Sequence, residues 1–226
     1  MIWLHIVVEG QTEETFVNKV LAPEIEPLGV AVEARLVETG RNETQIFRGG
    51  LSRYRQVKDD LTSWMNEDRH PEPWFTTMID LYRIPSDFPG RDKCAQLGDP
   101  VKRVECLEDA FALDIARPRF IPYIQLHEFE ALLFAEPRKF EIAFPGRTSE
   151  IDTLVSIRSE FSNPEQIDDG PDKAPSKRIL QVLRDYRKSL AGPVISAQIG
   201  MATLRRECSH FDGWIKRIEQ IAASIP

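Results

Sequence analysis

The run Ile2-Trp-Leu-His-Ile-Val-Val-Glu9-Gly10-Gln-Thr-Glu13-Glu14 decides how the rest of the chain is read. Residues Ile2 to Val8 form a continuous apolar run, as expected of a strand covered on both faces. Glu9-Gly10 breaks it. Thr12 to Leu21 then carries Phe16, Val20 and Leu21 at helical spacing, and Pro23 is expected to end that helix. The chain thus opens with a strand, an acid at its end, a glycine, and a helix that begins with further acids.

Outward from this stretch the pattern repeats. Val30 to Val37 alternates apolar and polar residues as a second strand would, and Arg41 to Gly50 is expected to be a polar loop. Leu51, Tyr54, Val57, Leu61 and Trp64 fall on one helical face. Trp74 to Tyr82, rich in β-branched and aromatic residues, is a third strand. Pro85, Pro89, Gly90, Gly98 and Pro100 mark a long loop, a place where function often sits. Val101 to Ile115 reads as a helix, Arg119 to Gln125 as a fourth strand, and Glu128 to Phe134 as a short helix. This alternation implies an α/β fold, a parallel sheet with helices on both faces. From about Pro137 the patterns are helical (Ser149 to Phe161, Ser176 to Leu190, Phe211 to Ile225), with a polar loop from Asn163 to Pro175. We therefore expect an α/β portion over residues 1–135 and a helical C-terminal portion over 136–226, packed as one unit.

Composition narrows the function. The 226 residues carry 29 basic and 36 acidic side chains, a formal charge of −7, which is a poor fit to a stand-alone nucleic-acid binder with a broad basic face. Either the acids gather around bound cations, or a partner holds much of any nucleic acid. No stretch is long and apolar enough to suggest a membrane helix, and the N-terminal run lacks a basic leader and a cleavage site, so no signal peptide is expected. Cys94, Cys106 and Cys208 are odd in number and far apart in sequence, with no Cys-x-x-Cys pair, which favours free thiols and a reducing cytoplasm over a disulfide framework or a structural zinc site. Four histidines and no His-Glu-x-x-His argue against a zinc enzyme. The phosphate loop of a nucleotide-binding site and the Gly-x-Ser-x-Gly elbow of a serine hydrolase are both missing.

In a parallel sheet, functional groups collect beyond the carboxyl ends of the strands. Glu9 ends the first strand, Asp80 lies near the end of the third, and Glu128 and Glu130 follow the fourth. Carboxylates gathered there repel one another unless a cation joins them, and Mg²⁺ or Mn²⁺ prefers such oxygens. Glu13, one helical turn beyond Glu9, could reach the same ion, although Glu13 and Glu14 also suit a helix N-terminus. Asp80 inside the apolar run Met78-Ile-Asp-Leu81 is costly unless paired or metal-bound. His210-Phe-Asp-Gly-Trp214 reads as packing, since Phe211, Trp214, Ile215, Ile218 and Ile221 form an apolar helical stripe.

Several of these residues also resemble a known family. Val7-Val-Glu9-Gly10-Gln-Thr-Glu13-Glu14 resembles the opening Toprim motif, in the form found in overcoming-lysogenization-defect nucleases, and Asp80-Leu-Tyr82 stands where Toprim proteins carry Asp-x-Asp. Four separated stretches look like an uncharacterised bacterial Toprim-like family: Asp80 to Gly90, His127-Glu-Phe-Glu-Ala-Leu-Leu-Phe134, Gly170-Pro-Asp-Lys-Ala-Pro-Ser-Lys-Arg178 and His210 to Trp214.

That resemblance implies a Toprim-like fold and metal-assisted phosphodiester cleavage in DNA or RNA, with Mg²⁺ or Mn²⁺ as cofactor. It implies that Glu9 is a metal ligand or general acid/base, that Glu13 is the second acid, and that Asp80 is the first aspartate of the pair. Tyr82 departs from the second aspartate, and Asp87 or Glu130 is the candidate to supply the missing oxygen. Lys177 or Arg178 is the candidate to neutralise developing phosphate charge. An ABC-type ATPase partner and a role in defence against mobile DNA are implied in the same way, and a homo-oligomer is left open. A non-catalytic binding module that docks on or regulates an ATPase is the competing expectation, and phosphoryl transfer on a small nucleotide a third.

Overall fold

The computed structural model describes residues 1–41, 46–48, 51–167 and 173–223. Five parallel strands form the main sheet: β1 (Ile2–Val8), β2 (Val30–Leu36), β5 (Trp74–Asp80), β6 (Phe120–Ile121) and β7 (Ile124–Gln125). The order is β2-β1-β5-β6, with β7 also pairing to β5. The apolar run that opens the sequence is therefore a central strand, hydrogen-bonded on both edges. Its register, Val8 opposite Met78, sets Glu9 beside Asp80, and the Glu9 amide donates to the Met78 carbonyl at 3.3 Å.

Helices cover both faces, as the strand–helix alternation leads one to expect. On one face lie α3 (Tyr54–Glu67), the short α4 (Arg91–Cys94) and α5 (Pro100–Ile115), packed on Val7, Phe75 and Ile79 through Val57, Leu61 and Phe111. On the other, Leu4, Ile6 and Val8 meet α1 (Gln11–Phe16) with its continuation through α2 (Ala22–Ile25), and α6 (Glu130–Leu133). The C-terminal helices close this second face: α7 (Thr148–Ser159), α8 (Pro175–Val182), α9 (Lys188–Ile199), α10 (Met201–Glu207) and α11 (Ser209–Ala223). Phe134, Ala135 and Phe140 belong to the same core as Leu4 and Ile218, so the apolar interior is continuous across residue 135.

Several expectations from the sequence need correction. Pro23 does not end the first helical stretch: Val17–Leu21 makes a π turn, and the proline sits in the first turn of α2, where a missing N–H is tolerated. The polar segment Arg41 to Gly50 is not all loop, because β3 (Glu38–Arg41) and β4 (Ile46–Arg48) pair antiparallel; its residues 42–45, 49 and 50 lie outside the described residues. The fourth strand is split at Pro122, which has no amide to donate, and Thr77 Oγ1 bridges the break to the Tyr123 carbonyl and amide at 2.9 and 3.1 Å. The single helix expected from Ser176 to Leu190 is two, because the chain leaves the helix after Val182 and re-enters it at Lys188. The free-thiol expectation holds only for buried Cys208; α4 folds against α5 with Cys94 and Cys106 joined as a disulfide, Cα atoms 5.7 Å apart. The cysteines therefore no longer speak for a reducing compartment. Among the described residues no helix is long and apolar enough to cross a membrane.

The His210 to Trp214 motif is structural. Glu165 accepts the His210 and Phe211 amides at the start of α11, at 2.9 and 3.0 Å. The Trp214 ring stacks on Tyr123 at 4.2 Å, and its Nε1 donates to Thr76 Oγ1 at 2.9 Å, tying α11 to the middle of β5. Trp214→Ala removes both the packing and the partner of a buried hydroxyl, and we expect it to cost about 3–5 kcal/mol of unfolding free energy in urea titrations. A loss under about 1 kcal/mol would show that α11 is not held through this residue.

Candidate metal centre

Four elements converge at the carboxyl edge of the sheet. Glu9 follows β1, Asp80 ends β5, Glu13 lies in the first turn of α1, and Glu130 opens α6; all four are buried. Asp80 Oδ1 accepts the Phe129 amide at 2.9 Å, and Glu9 Oε2 accepts the Asp80 amide at 3.2 Å. The chain can turn back from β7 to make the first of these bonds because His127 adopts φ 60, a left-handed conformation uncommon outside glycine. Glu128 accepts the Ser176 amide at the start of α8, which draws that helix to the rim.

At the centre sits a residue the sequence reading missed. Lys188 Nζ lies 2.9 Å from Asp80 Oδ2, 3.1 Å from Glu13 Oε1 and 3.3 Å from Glu130 Oε2. Tyr186 OH is 3.4 Å from the other Glu130 oxygen. Lys188 is the first residue of α9, and Gly192, one turn on, lets that helix approach closely: a Cβ there would lie 3.1 Å from Phe129 Cε1 and 3.3 Å from Thr12 Cγ2. A cleft of about 680 Å³ opens over the group, lined among others by Asp80, Tyr82, Glu128, Glu130, Lys177 and Lys188.

The structure thus brings Glu9, Glu13, Asp80 and Glu130 together and sets Lys177 on the wall of the same cleft. It does not bring Asp87 in. That carboxylate is exposed and accepts the Tyr54 amide at 2.9 Å at the start of α3. Arg178 turns away, its Nε donating to the Lys173 carbonyl at 2.8 Å and its guanidinium over the Phe161 ring. Tyr82 is exposed, in the single 3-10 turn after Asp80, and Arg83 Nε approaches Glu9 Oε1 at 4.0 Å. Of the motif from Gly170 to Arg178, residues 170–172 lie outside the described residues.

The electrostatics are those of a site short of positive charge. Burial, reinforced by the neighbouring Asp80 carboxylate, pushes Glu9 up to about 7, and burial pushes Glu130 up to about 8 against the pull of Lys188. Glu13 and Glu128 are raised as well, chiefly by burial. Burial alone would lower Lys188, but Asp80, Glu130 and Glu13 hold it well above the usual lysine range, so it stays protonated. One ammonium cannot neutralise five neighbouring acids. Glu13 Oε1 and Glu130 Oε2 also make no aligned hydrogen bond, although both are buried. Buried, under-satisfied carboxylate oxygens around a cation-filled centre suit a hard divalent ion such as Mg²⁺ or Mn²⁺.

These shifts have a consequence for stability. Folded pKa values of about 7 and 8, against an ordinary 4.5, mean that the folded chain holds protons the unfolded chain has lost. That contribution is complete below pH ~4.5 and is lost as pH rises through the folded values. With chelator present we expect Tm to fall by roughly 5–10 °C between pH 5 and 8.5, Glu130→Gln to flatten the slope, and millimolar Mn²⁺ to restore Tm most at the alkaline end. A Tm that rises across this window would contradict the assignment.

A family model described as Domain of unknown function (DUF4276) matches residues 8–219. No curated protein matches the chain. Among solved structures, the chain is similar to the C-terminal region of the Burkholderia pseudomallei OLD protein, at 13% identity and a TM-score of 0.46 over 97% of this chain and 98% of that one. It is also similar to the C-terminal region of the Xanthomonas campestris pv. campestris OLD protein, at 15% identity and a TM-score of 0.44 over 97% of this chain and 95% of that one. The family match spans the whole carboxylate centre, from Glu9 to Lys188, and the chain belongs to the DUF4276 family, a domain of unknown function.

Proposed function

We propose that this protein is a Toprim-type, divalent-metal-dependent nuclease that cleaves phosphodiester bonds in DNA or RNA. The observation that carries the reading is the convergence of Glu13, Asp80 and Glu130 on one ammonium at the floor of an open cleft, with Glu9 held beside them by the Asp80 amide. The resemblance of Val7 to Glu14 and of Asp80 to Gly90 to Toprim motifs supports it from the sequence side.

Glu9, Glu13, Asp80 and Glu130 would hold Mg²⁺ or Mn²⁺, and Lys188 now stands where positive charge is wanted. When bound, the ion supplies an activated water and charge for the phosphoryl oxygens. The chain's own groups do the rest. The Asp80 and Phe129 amides hold the Glu9 and Asp80 carboxylates in fixed orientations, so no reorganisation is needed as charge develops. Lys188, protonated and at the cleft floor, is placed to meet a phosphate oxygen, with Lys177 on the wall giving a second positive charge. The net charge of −7 makes a partner that contributes basic surface, such as an ABC-type ATPase, part of the same reading.

Purified protein incubated with plasmid, single-stranded DNA and tRNA should cut at least one of them in Mn²⁺ but not in chelator. Glu9→Ala and Asp80→Ala should each lower the rate by at least about 100-fold. Cutting that survives both substitutions would remove the assignment.

One observation favours a second reading, a binding module without cleavage. Lys188 already compensates part of the acidic centre, and Tyr82 stands where a second motif aspartate would add an oxygen. Under that reading calorimetry finds no Mn²⁺ binding at millimolar concentration, while binding to an ATPase partner persists.

A further inference from the structure

The middle of β1 carries a second polar group that the carboxylate centre does not use. His5 is completely buried, on the α3 face of the sheet, between Trp64 and Phe75 at ring distances of 4.5 and 5.0 Å. An imidazole so placed is costly unless both nitrogens are satisfied. Its Nε2 lies 2.6 Å from Asp68 Oδ2 and its Nδ1 3.2 Å from Glu33 Oε2, yet neither nitrogen makes an aligned hydrogen bond. Asp68 follows the last residue of α3, and its Oδ1 accepts the His70 amide at 2.7 Å. That bond folds the chain so that the His70 ring comes back over Asp68, with Nδ1 3.1 Å away, and Trp3 stacks on the ring at 3.9 Å. One ligand atom each from His5, Asp68 and His70 lies within 4.8 Å of the others.

We propose that His5, Asp68 and His70 form a binding site for a borderline divalent transition-metal ion of the Zn²⁺ class, separate from the carboxylate centre. Two imidazoles and one carboxylate are a donor set such ions favour over Mg²⁺ or Ca²⁺. A tetrahedron of ~2.1 Å bonds has edges of about 3.4 Å, so a pair at the 4.8 Å limit closes by about 1.4 Å, and Asp68 and His70 lie in the connection between α3 and β5, outside regular structure, where this movement is taken up. Glu33, opposite His5 in the β1–β2 register, faces the imidazole nitrogen on the far side from Asp68. An outer carboxylate on Nδ1 leaves the Nε2 lone pair for the metal. The side chain of Asp68 is 4% exposed and that of His70 39%, so the group opens outward through His70 and leaves the fourth position to water. Glu9 lies four residues beyond His5, about 13 Å along the strand, too far for one ion to serve both groups. Bound there, the ion would clasp the turn between α3 and β5 to the central strand, a structural role.

The test uses the full chain with Glu9→Ala and Asp80→Ala in place, so that two of the four ligands of the carboxylate centre are gone. Titration with Co²⁺ should give the intense visible bands of a tetrahedral nitrogen–oxygen site at one equivalent, and Zn²⁺ should displace it and raise Tm. Loss of an outer partner of a metal-bound histidine costs about 10–100-fold in affinity, so His70→Ala, which removes a ligand itself at the surface, should cost more than about 100-fold. Glu33→Ala should weaken Zn²⁺ by about 10-fold. Asp68→Asn is the second variant should His70→Ala misfold. No Co²⁺ bands in the parent protein, or bands that persist in both His70→Ala and Asp68→Asn, would overturn the proposal.

Discussion

A carboxylate at the end of a buried strand must be compensated, and the compensation of Asp80 fixes much of this molecule. One oxygen takes the Phe129 amide, which fixes the return of the chain after β7 and sets Glu130 on its helix. The other takes Lys188, which fixes the start of α9 against α1 and α6. Glu9 is locked in turn by the Asp80 amide. Buried ion pairs are a weak source of stability, because desolvation offsets most of the attraction. Apolar residues of similar volume would serve the fold as well or better. That this edge of the sheet keeps four buried acids around a half-buried lysine is therefore an argument for chemistry there, as perturbed carboxylates in a cleft generally are.

The sheet and its acidic edge were legible because they obey short-range rules. Ile2 to Val8 and Trp74 to Asp80 are apolar runs that can only be covered strands, and an acid closing each run stands out from its neighbours. Parallel topology then puts both acids on one edge without any knowledge of register. Lys188 obeyed no such rule. It is the first residue of α9, a helix that holds Pro193 in its interior. The break after Val182 that carries Tyr186 and Lys188 into the cleft has no local signal, since Ser176 to Leu190 keeps helical spacing across it. Asp87 failed for the opposite reason. A loop rich in proline and glycine suggests function, but its carboxylate had a nearer donor in the amide opening α3.

The histidine at the middle of β1 shows what periodicity hides. His5 occupies a position equivalent to Val7, two residues on and on the same face, where the rest of the strand is apolar. Its partners come from the turn before β5, brought alongside because Trp74 pairs with Leu4. Only the register of two strands distant in sequence makes the group, so no spacing within 226 residues announces it.

Glycines complete the argument about the edge of the sheet, through space and not through backbone freedom. Gly10 is extended at φ −148, a conformation open to any residue. A Cβ there would come within 2.9 Å of Glu13 Oε2. An exposed glutamate would swing aside at little cost. Glu13 cannot, because its carboxylate is buried and held against Lys188 at 3.1 Å. Gly192 plays the matching part from the other side, where a side chain would press on Phe129 and Thr12 one turn from Lys188. The acid–glycine pair that opens the sequence is thus one half of a packing constraint whose other half lies in a helix near its end. Both halves serve the same separation, that between the acids of α1, β5 and α6 and the Lys188 ammonium that meets all three.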